Sequence, residues 1–211
     1  MELQQVEDKS EPLVWLLVDD RPGNTTQSVG LAQALGWPYE TKQLHFTALA
    51  KLRNHWLRTY GANLLGLDRA RSAVLSPPWP NLVITAGLRT APIARWIKKQ
   101  NNKTLVIQIG RKGGHIADHF DAVITCGYAQ FPPHPQRIET SIPITRVTPQ
   151  SLIEANHEWE ELFQDSPHPR IALLVGGSTT RHQFDASAAG QLGIELAALC
   201  EEAEGSIFAI T

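Results

Sequence analysis

Short, nearly all-apolar runs alternate with helix-period segments along most of this 211-residue chain, and no other feature narrows its fold as far. The stretch "LLVDDRPGNTTQSVGLAQAL", residues 16 to 35, shows the unit. Leu13 to Val18 is apolar at almost every position, as expected of a parallel strand covered on both faces. After the turn, Val29, Ala32 and Leu35 recur on one helical face, with Asn24 or Thr25 available as a cap and Gly36 as the stop. Tyr39 to Phe46, "NLVITA", "TLVIQIG" and "DAVIT" repeat the strand signal, and "RIETSIPITRV" reads as a less regular extended piece. Between them a helical pattern opens at Thr47 (Leu49, Leu52, Trp56, Leu57, Tyr60). Another follows "GLRT" with Pro92 in its first turn, and a long one starts at Thr148 and Pro149. Strand alternating with helix is the pattern of a parallel, doubly wound sheet. The expected class is α/β, with a Rossmann-like parallel sheet.

The segment "DSPHPR" at 165 to 170 reads as a linker, which puts an N-terminal Rossmann-like domain at 1–165. Residues 166–211 then hold the linker and one βαβ unit: strand "IALLV", loop "GGSTTRHQFD", a helix from about Ala186 to Ala203, and strand "SIFAIT". A unit of ~40 residues is too small to carry its own core, so the expectation is a chain that stops inside a second domain. With 21 acidic and 19 basic residues the net charge is -2, and no global basic field recruits nucleic acid. Cys126 and Cys200 form no CxxC pair, which argues against a disulfide framework or structural zinc and fits a reducing cytoplasm. The N-terminus "MELQQVEDKSEP" has neither the basic nor the apolar region of a signal peptide, and no apolar run approaches the ~20 residues of a membrane span.

Ligands of open α/β sheets lie beyond the carboxyl ends of the strands, and three loops fall there. In "DDRPGNTTQ", Gly23 lets the backbone approach a ligand, and the amides at Asn24 to Thr26 open a helix that could hold an anion. Asn24 and Gln27 can hydrogen-bond hydroxyls, while Asp19 or Asp20 could act as a base. Read as structure only, Asn24 caps the helix and Asp20 pairs with Arg21. In "AGLRT", Gly87 permits a tight turn, and Arg89 offers a planar fork for phosphate or carboxylate or, more simply, a surface salt bridge. In "VGGSTTR", two glycines and the hydroxyls of Ser178, Thr179 and Thr180 could form a phosphate nest. Neither GxGxxG nor a Walker A loop is present.

His115 and His119 are four apart, a metal-ligand spacing on a helix. They follow Gly113 and Gly114 and lack a third ligand, so a loop with solvated histidines is the better reading and no metal is expected. Between Lys51 and Arg71 lie five basic residues (Lys51, Arg53, Arg58, Arg69, Arg71) against Asp68, interleaved with Trp56, Leu57, Tyr60, Leu64 and Leu65. A core-facing helix with a solvated basic side is the favoured reading. The alternative is peripheral contact with an anionic membrane, at the inner face of a bilayer.

In order, "LLVDDRPGNTTQSVGLAQALG", "WPNLVITAGLRTAPIA", "FDAVIT" and "IALLVGGST" resemble the elongated-mitochondria-type fission proteins of plants and their bacterial relatives. The resemblance runs from about Trp15 onward, and its most specific element is the first loop with Gly23, Asn24, Gln27, Gly30 and Leu31. That family is similar to GT-B glycosyltransferases, which face two Rossmann-like domains across a cleft. The resemblance implies a nucleotide-sugar donor, a hydroxyl acceptor and chemistry with no metal or other cofactor. Asp19, Asp20 or, less favoured, His115 would be the base. Gly23, Asn24, Gln27, Gly87 and Arg89 would face the acceptor. Gly176, Gly177, Ser178 and Thr179 would approach the donor phosphates. Where relatives commonly have a His-Asp pair after "FDAVI", this chain reads "TCGYAQFPPH", so no role is carried over for that pair. The plant branch implies a second, non-catalytic possibility: an adaptor that docks a partner at a membrane surface.

Overall fold

The computed structural model describes residues 11–51, 61–110, 114–178 and 183–210. The chain divides into two compact units, one ending at Val147 and the next starting at Thr148.

In the first unit, β1 (Val14–Val18), β2 (Tyr39–Gln43), β3 (Leu82–Ala86), β4 (Leu105–Ile109), β5 (Ala122–Cys126) and β6 (Arg137–Thr140) form one sheet. Every pairing is parallel, in the order β2-β1-β3-β4-β5-β6. The fold is α/β and Rossmann-like. All five residues of β1 and of β3 are buried, which accounts for the continuous apolar runs in sequence. Edge strand β2, "YETKQ", is mostly exposed, and its Lys42 ammonium lies 4.3 Å from the centre of the Trp15 ring.

Successive residues of β1 serve opposite faces. Val14, Leu16 and Val18 join Ile84, Ile109 and Ala32 on the side of helix α1 (Pro22–Leu35). Trp15 and Leu17 join Val83, Val106 and Ile97 on the side of helix α2 (Ala91–Gln100). Trp79 extends that second core, edge-on to both Trp15 (6.0 Å) and Trp96 (5.8 Å). Because the chain leaves β1 toward β2 and returns on the other side as β3, the connections after β1 and β3 diverge. That topology opens a crevice at the carboxyl ends of those two strands.

Helix α1 starts earlier than its polar residues suggest. Arg21, in extended conformation, is the N-cap and Pro22 takes the first helical position, so neither Asn24 nor Thr25 is the cap. A proline with fixed φ and no amide proton suits that position better than any residue after it. The helix ends as expected at Gly36, whose φ of 70° allows its amide to reach the Ala32 and Gln33 carbonyls. Its buried residues Ser28, Gly30 and Ala32 are small, and the helix sits correspondingly close to its neighbours.

Of the basic segment 51–71, residues 52–60 and the Lys51 side chain lie outside the described residues. Residues 61–71 are turns rather than helix: Leu64 and Leu67 pack against the α2-side core, Leu67 bridges to Phe46, and Leu65, Arg69 and Arg71 are exposed.

The second unit contains helix α3 (Pro149–Phe163), β7 (Arg170–Leu174), helix α4 (Ala186–Ala203) and β8 (Ser206–Ile210). Strands β7 and β8 pair in parallel, residue for residue from Arg170 with Ser206 to Leu174 with Ile210. Thr148 caps α3 in a reciprocal box with Ser151, and Asp185 caps α4 through the Ala188 amide at 2.9 Å. The division therefore falls ahead of α3, whereas the linker signal in the sequence lies after it. The Phe163 ring is edge-on to Phe208 of β8 at 4.6 Å, which ties α3 to this unit.

Candidate functional site

Immediately after β1, Asp19 is only 5% exposed. Its Oδ1 accepts from the Arg21 amide at 3.2 Å and from Asn24 Nδ2 at 3.3 Å. Asn24 reaches back because α1 has already begun at Pro22, which turns this side chain over the strand end. After β3, Gly87 has φ +84°, a left-handed conformation that favours glycine. Its missing side chain also leaves room: an added Cβ would lie 2.5 Å from Asn24 Nδ2. Beside it, Arg89 Nη1 donates to Asp20 Oδ1 at 2.6 Å, linking the two diverging loops. The Arg89 side chain is 17% exposed and that of Asp20 71%. A pair with one partner in water contributes only about 0–1 kcal/mol, so its consequence is orientation of the guanidinium rather than stability.

A cleft of about 140 Å³ lies alongside, at the ends of β4, β5 and β6. Ile109, Ile124 and Ile144 give it apolar lining, Thr140 and Gln27 polar lining, and Tyr128, 76% exposed, an aromatic side chain. Among the described residues, none that lines it is charged. Asn24 belongs to both places: it lines the cleft and bonds Asp19. Gln27 Nε2 donates to the Gly23 carbonyl at 3.2 Å, and an added Cβ on Gly110 would lie 3.8 Å from Gln27 Oε1. Gly110 follows β4 with φ +70°, as Gly87 follows β3. Beneath them, fully buried Gln108 donates through Nε2 to the carbonyls of Gly87 (3.0 Å) and Ile109 (2.9 Å), pinning the "AGLRT" turn to the end of β4.

A family model described as mitochondrial fission ELM1 matches residues 22–211. The chain belongs to the mitochondrial fission ELM1 family. It is 35% identical over 96 residues to an uncharacterized protein of Rickettsia prowazekii (strain Madrid E), a match over 46% of this chain. The chain spans 27% of that relative's length. Among solved structures it is similar to UDP-N-acetylglucosamine 2-epimerase from Rickettsia bellii. Identity is 12% and the TM-score 0.41, with 95% of this chain and 62% of that one covered.

The family's first loop and its "AGLRT" turn thus meet in this ELM1-family chain: Asp19, Asp20, Asn24, Gly87 and Arg89 lie together, although Asp20 and Arg89 are 69 positions apart in sequence. Two expectations for the first loop change. The amides of Asn24 and Thr25 both donate to the Arg21 carbonyl (3.0 and 3.2 Å), which takes two members of the proposed anion cradle. Gly23 sits in the first helical turn with nothing within 4 Å of an added Cβ. Asp20 pairs with Arg89 and not with its neighbour Arg21.

In the second unit, Gly176 and Gly177 follow β7 in open space. Ser178 Oγ accepts from the Phe184 amide (2.8 Å) and donates to the Phe184 carbonyl (3.1 Å), closing the loop on itself. Thr179 lies outside the described residues, as does the side chain of His115, whose backbone belongs to a 3₁₀ turn, Gly114–His119.

Gln108, Gly110, Thr140 and Tyr128 were not singled out by sequence, though a glutamine inside "LVIQI" followed at once by glycine is a legible anomaly. A further pair joins distant loops: His134 Nε2 lies 2.8 Å from Asp118 Oδ1. The Gln136 amide donates to His134 Nδ1 at 3.2 Å, so Nε2 carries the proton and gives it to Asp118. With both ring nitrogens engaged, His134 clamps a loop and offers no free base.

Proposed function

We propose that the chain carries the acceptor-side half of a GT-B-like glycosyltransferase, moving a sugar from a nucleoside-diphosphate-sugar to a hydroxyl acceptor. The observation that carries this reading is the buried Asp19 carboxylate at the crevice between the β1 and β3 ends, with Asn24 and the Arg21 amide both on Oδ1. A carboxylate placed there can take the acceptor's proton through Oδ2 as that oxygen attacks the anomeric carbon. The bond to the nucleoside diphosphate breaks in the same step, and no metal or other cofactor is required. Asn24 and Gln27 would contact acceptor hydroxyls, and Arg89 an anionic group on the acceptor or leaving group. Gly176, Gly177, Ser178 and Thr179 are the candidate donor contacts, and Ser178 would have to exchange its bonds to Phe184 for a phosphate.

Transfer assays and thermal shift with UDP-, GDP-, ADP- and CMP-linked sugars test the reading, on this chain and on the longest natural form of it. Stabilisation by one donor class, with transfer lost in Asp19→Asn and donor binding kept, supports it. A folded Asp19→Asn variant that transfers as well as wild type removes Asp19 as the base.

One observation favours a second reading, an adaptor at a membrane surface. Leu65 and Val74 are exposed on the same stretch as the exposed Arg69 and Arg71. Among the described residues no helix is long and apolar enough to cross a membrane, so any contact here would be peripheral. Failure to co-sediment with anionic vesicles at low salt would remove it.

A further inference from the structure

We infer that the cleft at the ends of β4, β5 and β6 holds one neutral pyranose ring, with Tyr128 as its stacking platform. The inference rests on the transferase reading and specifies the acceptor as a carbohydrate.

Three properties of the cleft point to this ligand. It is small: about 140 Å³ is below the roughly 300–1,000 Å³ of pockets that enclose a whole cofactor-sized molecule, so it takes one ring. Its described lining is uncharged, whereas the Asp20–Arg89 pair stands at the adjacent strand ends. A phosphate or carboxylate meets no counter-charge among the described lining residues and finds one at Arg89. It is two-natured, because isoleucine side chains and the polar groups of Asn24, Gln27 and Thr140 both line it. A pyranose has both characters too, an apolar C–H face and a rim of hydroxyls that both donate and accept. Side-chain amides meet such hydroxyls with both kinds of partner. An exposed aromatic ring at such a cleft offers flat apolar area at little entropic cost, because only two torsions need be fixed. Asn24, shared between the cleft and Asp19, would place a ring hydroxyl near the proposed base.

The test is saturation-transfer NMR and calorimetric titration of the full chain. The probes are the methyl pyranosides of glucose, galactose, mannose and N-acetylglucosamine, with cyclohexanol and glucose 6-phosphate alongside. At least one methyl pyranoside should bind, with transfer strongest at protons of one C–H face, and cyclohexanol should bind more weakly. Tyr128→Ala should weaken binding about five- to tenfold, the size of one aromatic contact, and Tyr128→Phe about twofold at most. Tyr128 is exposed, so neither variant should unfold the domain. No pyranoside binding, equal binding of cyclohexanol, or a silent Tyr128→Ala overturns the inference. Pyranoside binding without transfer from any nucleotide-sugar leaves the inference standing and removes the transferase reading. Transfer to a non-carbohydrate acceptor, with no pyranoside bound, does the reverse.

Discussion

The side chain of Asn24 occupies the space that a Cβ on Gly87 would enter, 2.5 Å from its Nδ2. Two loops far apart in sequence are thereby fitted to each other, and the same Asn24 group holds Asp19. Gly87→Ala should act through both terms. The positive φ costs roughly 1–2 kcal/mol for any residue with a Cβ, and the added methyl should swing Asn24 off the carboxylate. A double-mutant cycle with Asn24→Ala separates them by chemical denaturation. In the Asn24→Ala background the steric part vanishes and only the backbone part remains. Equal losses in both backgrounds would show that the contact contributes nothing.

Asp20 holds the Arg89 guanidinium as an incoming anion would. Asp20→Asn should change stability by no more than about 1 kcal/mol, because the pair is half in water. It should also raise affinity for inorganic pyrophosphate several-fold at low salt by removing the internal competitor. Titration calorimetry checks this, with Arg89→Met as the variant that should lose the binding. Pyrophosphate affinity unchanged in Asp20→Asn would mean that Arg89 serves only the ion pair.

Much of this was legible in the chain because strand burial and residue type are coupled. "VWLLV" and "LVITA" are apolar throughout because both faces of β1 and β3 are covered. The approach of the two loops to each other was not legible, since it depends on strand order and not on either loop's residues. The cap of α1 was misplaced because Asn24 and Thr25 suit a cap by type, while Pro22 decides it by geometry. The cleft stayed hidden for a similar reason: Ile109, Ile124 and Ile144 belong to three separate extended segments, and only the parallel order of β4, β5 and β6 brings them to one cleft.

In the second unit, Thr148 accepts from the Ser151 amide at 3.1 Å, and Ser151 Oγ accepts from the Thr148 amide at 2.9 Å. None of the residues of α3 is buried, so little packing backs up the cap. Thr148→Ala should cost about 1 kcal/mol. Amide exchange at the first turn of α3 should accelerate, while β1 and β3 exchange as before. Uniform acceleration across both units would show that they unfold together.

Gly30, one of the residues by which the first loop resembles its family, has a packing reason. An added Cβ would fall 2.5 Å from the Thr145 carbonyl oxygen and 2.9 Å from its carbon, with Ile144 Cγ2 at 3.2 Å. The obstruction is backbone, so no rotamer change relieves it, and either α1 or the 144–145 segment must move. Gly30→Ala gains helix propensity of about 1 kcal/mol, yet overpacking of this kind costs typically 1–3 kcal/mol. The steric term should win, with a net loss of about 1–2 kcal/mol in denaturant midpoint analysis. Because Ile144 lines the cleft beside Asn24 and Gln27, the displacement should also reduce binding there. Gly36→Ala is the matched control: its Cβ would meet nothing within 4 Å, but its φ is +70°, so it should lose stability through the backbone alone and leave the cleft intact. If Gly30→Ala proves as stable as wild type, the close approach of α1 to Thr145 is not a feature of the folded chain.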